Sequence, residues 1–305
     1  MTDAIRLQGL DYRASKEFAI RDLGMTVPQG AIYGFLGPNG SGKTTAIKLM
    51  LGMLRAEHGT IDVLGHEVPR NVHLALERIG YVPERNHLWT HLSVGEAIAT
   101  HAAFYATWDA ARAESLRNQF ALRSSQLVSA LSKGEAGKLM MLLALATQPE
   151  LLVLDEPTDG LDPVVRRDVL EALVEYVATR QATVLISSHL IHEQERICDW
   201  VGVLDQGKLI AELPMQEFRS GIKRLRVQDA APVHDAAPFT VLAREDEFGK
   251  GEIWVVRGWQ DSHAGWFSNG GATLRDVESL DLEESFVELL SSGRGGAKLP
   301  SQVQS

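Results

Sequence analysis

The segment GPNGSGKTT at 37–45 constrains this chain more than any other. Gly37, Gly42, Lys43 and Thr44 satisfy the spacing G-x-x-x-x-G-K-[ST], with Pro38, Asn39, Gly40 and Ser41 as turn formers between them and Thr45 closing the motif. Before it, AIYGFLG is rich in β-branched and aromatic residues and reads as a strand; after it, TTAIKLMLGML places apolar residues three and four apart and reads as a helix packed on a sheet. A strand, a glycine loop and a helix in that order make a phosphate cradle. Glycines let the loop wrap phosphate oxygens with its N–H groups, and the helix start adds its positive end. Lys43 then reaches the β- and γ-phosphates, and Thr44 can hold Mg²⁺.

A second segment, LLVLDEPTDGLDP at 151–163, supplies acids. Its apolar run reads as a strand covered on both faces, whose carboxyl end delivers Asp155 and Glu156 into the crevice where open α/β sheets bind ligands. Two adjacent acids there need separate roles. Asp155 suits Mg²⁺, directly or through water, and Glu156 suits orienting or deprotonating an attacking water; taken alone, the pair can also cap a helix after Pro157.

Around these segments the pattern predicts strands in IRLQGLDY and FAIRDLGMTV, a short strand pair around GTIDVLG, a helix near 71–77 and the strand IGYVPE at 79–84. Residues 93–124 and 134–147 read as helical, with Asp109 as a cap. A further helix follows in VVRRDVLEALVEYVAT and a buried strand in TVLISSH at 183–189.

With these motifs in place, residues 3–213 closely resemble an ABC-transporter ATPase subunit. LSKGE at 131–135 stands at the family's signature position, DGLD at 159–162 follows the catalytic acid, and His189, ending TVLISSH, is the switch histidine. The resemblance implies an α/β fold: a P-loop nucleoside-triphosphate hydrolase core with an antiparallel β subdomain and a helical subdomain. It implies ATP and Mg²⁺, with Glu156 and His189 catalytic, Thr44, Glu84 and Asp155 toward the metal, and Tyr12 stacking on adenine. It also implies that Ser132, Lys133, Gly134 and Glu135 complete the site of a second ATPase subunit, two chains sandwiching two nucleotides.

Two departures stand out. The family commonly has Gln where this chain has Glu84, which adds negative charge beside Asp155 and Glu156; the exporter-type branch tolerates it. The signature usually carries two central glycines and a following Gln, against Lys133 and Glu135 here; Lys133 can add a positive charge, while both also fit an ordinary exposed first turn of a helix. The segment RNHLWTHLSVGEAIATHAAFY, with Leu88, Trp89 and Val94, resembles the region that receives a membrane subunit, although burial inside the domain fits each residue equally.

At 305 residues the chain exceeds what one core usually supports, about 250–300, and residues 214–305 differ in composition, holding Trp254, Trp259 and Trp266. Domains are therefore expected at 1–213, the ATP-binding domain, and 214–305, a small C-terminal α+β domain. The latter has candidate strands KRLRVQD and EIWVVRG, an amphipathic helix at 281–290 and a frayed tail, SSGRGGAKLPSQVQS. A net charge of −10 disfavours a nonspecific grip on nucleic acid. The one cysteine, Cys198, rules out an intramolecular disulfide. No secretory signal is visible, and LMMLLALAT at 139–147 is about half of the ~20 residues a bilayer crossing needs. The expected function is therefore the ATP-hydrolysing subunit of an exporter, peripheral at the cytoplasmic side of the membrane through separate permease subunits. The alternative is a soluble ATPase of the same type acting on a ribosome, nucleic acid or protein complex.

Overall fold

The structure is a computed structural model that describes residues 3–16, 18–229, 237–247 and 251–293. The chain forms two compact units, Met1–Leu190 with Gly202–Leu209, and Ile191–Val201 with Ile210–Ser305.

In the first unit, β1 (Asp3–Arg13) and β2 (Ala19–Pro28) pair antiparallel, burying Ile5, Leu7, Leu10, Ile20, Leu23, Met25 and Val27. β3 (Ile32–Leu36) is wholly buried and runs into the glycine loop, after which α1 spans Lys43–Met50. The helical pattern continues to Leu54 in sequence, but Gly52, with φ 68°, turns the chain first. β4 (His58–Val63) and β5 (His66–Val68) complete an antiparallel sheet in the order β2-β1-β4-β5.

A short helix, α2 (Val72–Leu76), leads to β6 (Ile79–Val82). The stretch expected to be helical over 93–124 is two helices, α3 (Val94–Ala102) and α4 (Ala110–Gln119). Asp109 separates them as a cap, accepting from the Arg112 N–H at 2.9 Å. α5 (Lys133–Ala146) carries nine buried residues and precedes β7 (Leu151–Asp155); α6 (Pro163–Arg180) and β8 (Thr183–Ser188) follow. β6, β7, β8 and β3 run parallel, with β7 and β8 buried at every position. α7 spans Ile191–Ile197, and β9 (Trp200–Asp205) and β10 (Lys208–Pro214), absent from the expectations above, extend the sheet to the order β10-β9-β3-β8-β7-β6.

The second unit has α8 (Met215–Ser220), β11 (Ile222–Gln228), β12 (Thr240–Asp246), β13 (Glu252–Arg257), α9 (Ala264–Asn269), β14 (Thr273–Ser279) and α10 (Leu282–Gly293). Its antiparallel sheet, ordered β12-β13-β11-β14, packs Leu225, Trp254 and Val256 against Phe239, Trp259 and Phe267. The two expected strands are β11 and β13. The packing does not follow the expected division at 213/214, because α7 groups with the C-terminal elements: it packs on α10, and His192 Nε2 lies 3.1 Å from Glu283 Oε1. Of the expected tail, Ser291–Gly293 belong to α10, and 294–305 lie outside the described residues.

Candidate active site

Four parallel strands end at one edge of the sheet, and the polar residues singled out in the sequence follow them directly: the glycine loop after β3, Glu84 after β6, Asp155 and Glu156 at the end of β7, His189 after β8. A cavity of 490 Å³ opens there, lined by Asn39–Thr45 together with Glu84, Glu156, Asp159 and His189. Buried strands bring their ends together because their apolar runs share one core, and each chain reversal then delivers polar groups to the same rim.

Within the loop, Gly37 admits no side chain: a Cβ would stand 2.3 Å from the Leu204 carbonyl oxygen and 2.6 Å from Ser41 Oγ. Lys43 is buried, and its Nζ donates to the Gly37 carbonyl at 2.7 Å and lies 3.0 Å from Glu156 Oε1 as an ion pair off the line of a directed hydrogen bond. The other oxygen of Glu156, Oε2, faces His189 Nδ1 at 2.9 Å. Glu156 thus sits between two nitrogen groups, on a backbone with φ 49°, in the left-handed region that is uncommon for non-glycine residues.

Asp155 is 1 % exposed. Its Oδ1 accepts from Ser187 Oγ at 2.7 Å, and the same Ser187 oxygen accepts from the Glu156 N–H at 2.9 Å, which fixes both acids to β8. Its Oδ2 has no hydrogen-bond partner among the described residues. Burial raises the Asp155 carboxyl above its ordinary range; hydrogen bonds from Ser187 and Thr44 oppose the rise, and the negative charges of Glu84 and Glu156 add to it. A buried carboxylate with one oxygen unsatisfied, a threonine hydroxyl beside it and further acids nearby is a donor set that fits a hard divalent cation. Mg²⁺ takes few protein ligands and completes its shell with water and phosphate oxygens, so the small number of side chains here suits it.

LSKGE lies apart from this cavity. Ser132 is exposed and caps α5, accepting from the Glu135 N–H at 3.2 Å, while Glu135 Oε2 accepts from the Ser132 N–H at 2.8 Å. This reciprocal box holds Glu135 below the ordinary carboxylate range, chiefly through the backbone N–H of Ser132. Ser132, Lys133, Glu84 and Glu156 line a separate cavity of 160 Å³. Tyr12 sits on β1 opposite Ile20 and does not line the phosphate cavity. The aromatic residue that does is Phe18, whose Cζ would lie 2.7 Å from a Cβ placed on Gly42. No sequence motif marks Phe18, which opens the strand pattern FAIRDLGMTV as an ordinary apolar residue. Val94 is fully buried and takes no part in the surface formed near Leu88 and Trp89.

Residues 20–159 match the protein family described as ABC transporter. Over 311 aligned residues, 97 % of this chain and 100 % of the relative, the sequence is 30 % identical to the bacitracin transport ATP-binding protein BcrA of Bacillus licheniformis. The chain belongs to the ABC transporter ATP-binding family. It is therefore an ATPase subunit coupled to transport, and its nucleotide is ATP. The Nod factor export ATP-binding protein I of Burkholderia lata is 36 % identical over 220 residues, covering 68 % of this chain and 70 % of that relative. A solved ATP-binding subunit of an ABC transporter superposes with a TM-score of 0.64 at 28 % identity, over 71 % of this chain and 92 % of that one. These relatives place the ABC subunit in an exporter-like branch.

Proposed function

We propose that this ABC subunit hydrolyses ATP with the residues gathered at the carboxyl edge of its parallel sheet, works as a dimer, and drives separate permease subunits that export a substrate. Residues 1–213 form the ATP-binding domain in this reading and 214–305 an accessory domain. The observation that carries the chemistry is Glu156, held at both oxygens by Lys43 and His189 at the rim of the phosphate cavity.

The loop N–H groups of residues 37–45 and Lys43 bind the phosphates. Glu156 accepts the proton of the attacking water, and His189 fixes the direction of that carboxylate and faces the γ-phosphate. The water oxygen bonds to the γ-phosphorus as the bond to the bridging oxygen breaks, giving ADP and phosphate. Thr44 and Asp155 would hold Mg²⁺, with Glu84 alongside, and the bound ion would supply positive charge against the phosphate oxygens. Ser132 and Gly134 face a second subunit's nucleotide, in keeping with their absence from the lining of their own chain's phosphate cavity.

No helix among the described residues is long and apolar enough to cross a membrane. The permease subunits supply the path, and this chain is peripheral to them at the cytoplasmic side. An apolar groove of 410 Å³, lined by Met53, Leu76, Leu88, Trp89 and Tyr105, has the character of a seat for a permease segment, with Trp89 51 % exposed beside it. The deciding experiment is Glu156→Gln. It should bind ATP, lose turnover at least ~100-fold and accumulate as an ATP-dependent dimer in size-exclusion chromatography; undiminished hydrolysis would sink the assignment.

A further inference from the structure

Lys133 is the residue of LSKGE that helix physics leaves unexplained. Ser132 and Glu135 already close the capping box, and a cation in the first turn opposes the positive end of the helix rather than complementing it. Its side chain does not simply extend into solvent. Nζ lies 3.4 Å from Asp159 Oδ2, and the stem drapes over Gly160, where a Cβ would meet Nζ at 2.2 Å and Cε at 3.2 Å. Gly160 has φ 63°, so glycine there serves both the turn and the passage of the lysine.

The partner of this contact is tied to the chemistry. Asp159 donates its backbone N–H to the Glu156 carbonyl at 3.1 Å, closing the turn that begins at Glu156. Asp159 also lines both the phosphate cavity and the smaller cavity beside Ser132. Holding α5 against α6 does not require Lys133. Lys138 and Asp168 form a much less exposed pair at 2.7 Å, and Gly134 packs directly on Val165. The Lys133 contact therefore adds little to packing and sits where the helix start meets the loop that follows Glu156.

We propose that Lys133 is a positioning residue for hydrolysis: by holding Asp159 it fixes the 156–160 turn, and so couples the LSKGE segment to the phosphate site of its own chain. In the dimer reading, on which this proposal rests, that segment serves the partner's nucleotide. One side chain then links the segment that reads one nucleotide to the turn that works on the other. Since such a contact is exposed in the single chain, its effect is modest and falls on turnover rather than binding.

The test uses the full-length chain with Lys133→Gln, Asp159→Asn, the double variant and Lys133→Arg, measuring kcat, KM for ATP, the Hill coefficient and Tm. Lys133→Gln and Asp159→Asn should each lower kcat ~5-fold and reduce the Hill coefficient, with KM within ~2-fold and Tm unchanged. The double variant should be no slower than the slower single, and Lys133→Arg should recover most of the rate. Unchanged kcat in Lys133→Gln, multiplicative losses in the double variant, or a fall in Tm matching the loss of rate would each overturn the proposal. Glu156→Gln, run in parallel, separates the two levels: if it still hydrolyses ATP, the active-site reading fails; if it is inactive while Lys133→Gln is normal, only the coupling fails.

Discussion

Asp155 shows how far a single residue can be reasoned from its surroundings. Burial lifts its carboxyl above the ordinary aspartate range, so the folded chain holds that proton to higher pH than the unfolded chain does. Its contribution to stability is accordingly greatest below the ordinary value and falls as pH rises through the raised one, the reverse of a salt-bridged aspartate. Asp155→Asn keeps an acceptor for Ser187 and removes the buried charge, so at neutral pH without metal it should raise Tm slightly and flatten this part of the pH–stability curve, while abolishing turnover. Thermal melts from pH 4 to 8, paired with ATPase assays, check both halves. The two aromatic residues near the phosphate loop are tested the same way. Phe18→Ala should weaken ATP binding several-fold, by about 1 kcal/mol, and Tyr12→Ala much less, as read by fluorescence titration with an ATP analogue. Lys43, Asp155 and Glu156 were legible as candidates because they occur within motifs whose spacing has a physical meaning, whereas His189 was legible only through the family resemblance. Phe18 was not, because an aromatic residue's orientation across a hairpin depends on register, and no local pattern fixes where Phe18 or Tyr12 points.

At the level of elements, the start of α5 separates stability from catalysis. Ser132 and Glu135 satisfy each other's backbone N–H, and Gln serves in such a box as well as Glu. Glu135→Gln should therefore leave Tm unchanged, whereas Glu135→Ala should cost about 1 kcal/mol, measured by urea unfolding. Glu135 at a position where the family usually has Gln is thus a conservative exchange for helix capping, and its departure from the pattern carries less meaning than that of Lys133. Elements with continuous apolar runs, β3, β7 and β8, were plain in the sequence because both faces of each strand are buried. β12 and β14 were not: their residues are half-buried or exposed at every position, so no apolar run marks them, and they exist through pairing with β13 and β11. α7 was equally hidden, a seven-residue helix with charged residues through its centre whose Ile191 and Gln194 are buried by tertiary packing.

For the whole molecule, the separate packing of the two units makes a prediction about where damage stays. The C-terminal unit has its own core, in which Trp254 is 1 % exposed, with its ring centroid 5.4 Å from that of Phe267. The Arg244 guanidinium lies 4.5 Å from the centre of the Trp254 ring, and the indole N–H donates to Glu252 at 2.7 Å. Arg244 in turn pairs with Glu252 and holds its carboxyl below the ordinary range. Trp254→Ala removes a large buried ring and leaves this charged pair beside a cavity, a loss of about 3–5 kcal/mol to the unit that contains it. Because the residues proposed to bind phosphate belong to the other unit, ATP affinity should change less than ~2-fold. Amide hydrogen exchange gives the spatial reading: protection should collapse across Ile222–Gln228 and Glu252–Arg257 while Leu151–Asp155 and Thr183–Ser188 keep theirs. Loss of protection in β7 and β8 to the same degree would mean that the chain unfolds as one cooperative body. In that event the 92 residues beyond the proposed ATP-binding domain support the ATPase fold itself, rather than forming an accessory module.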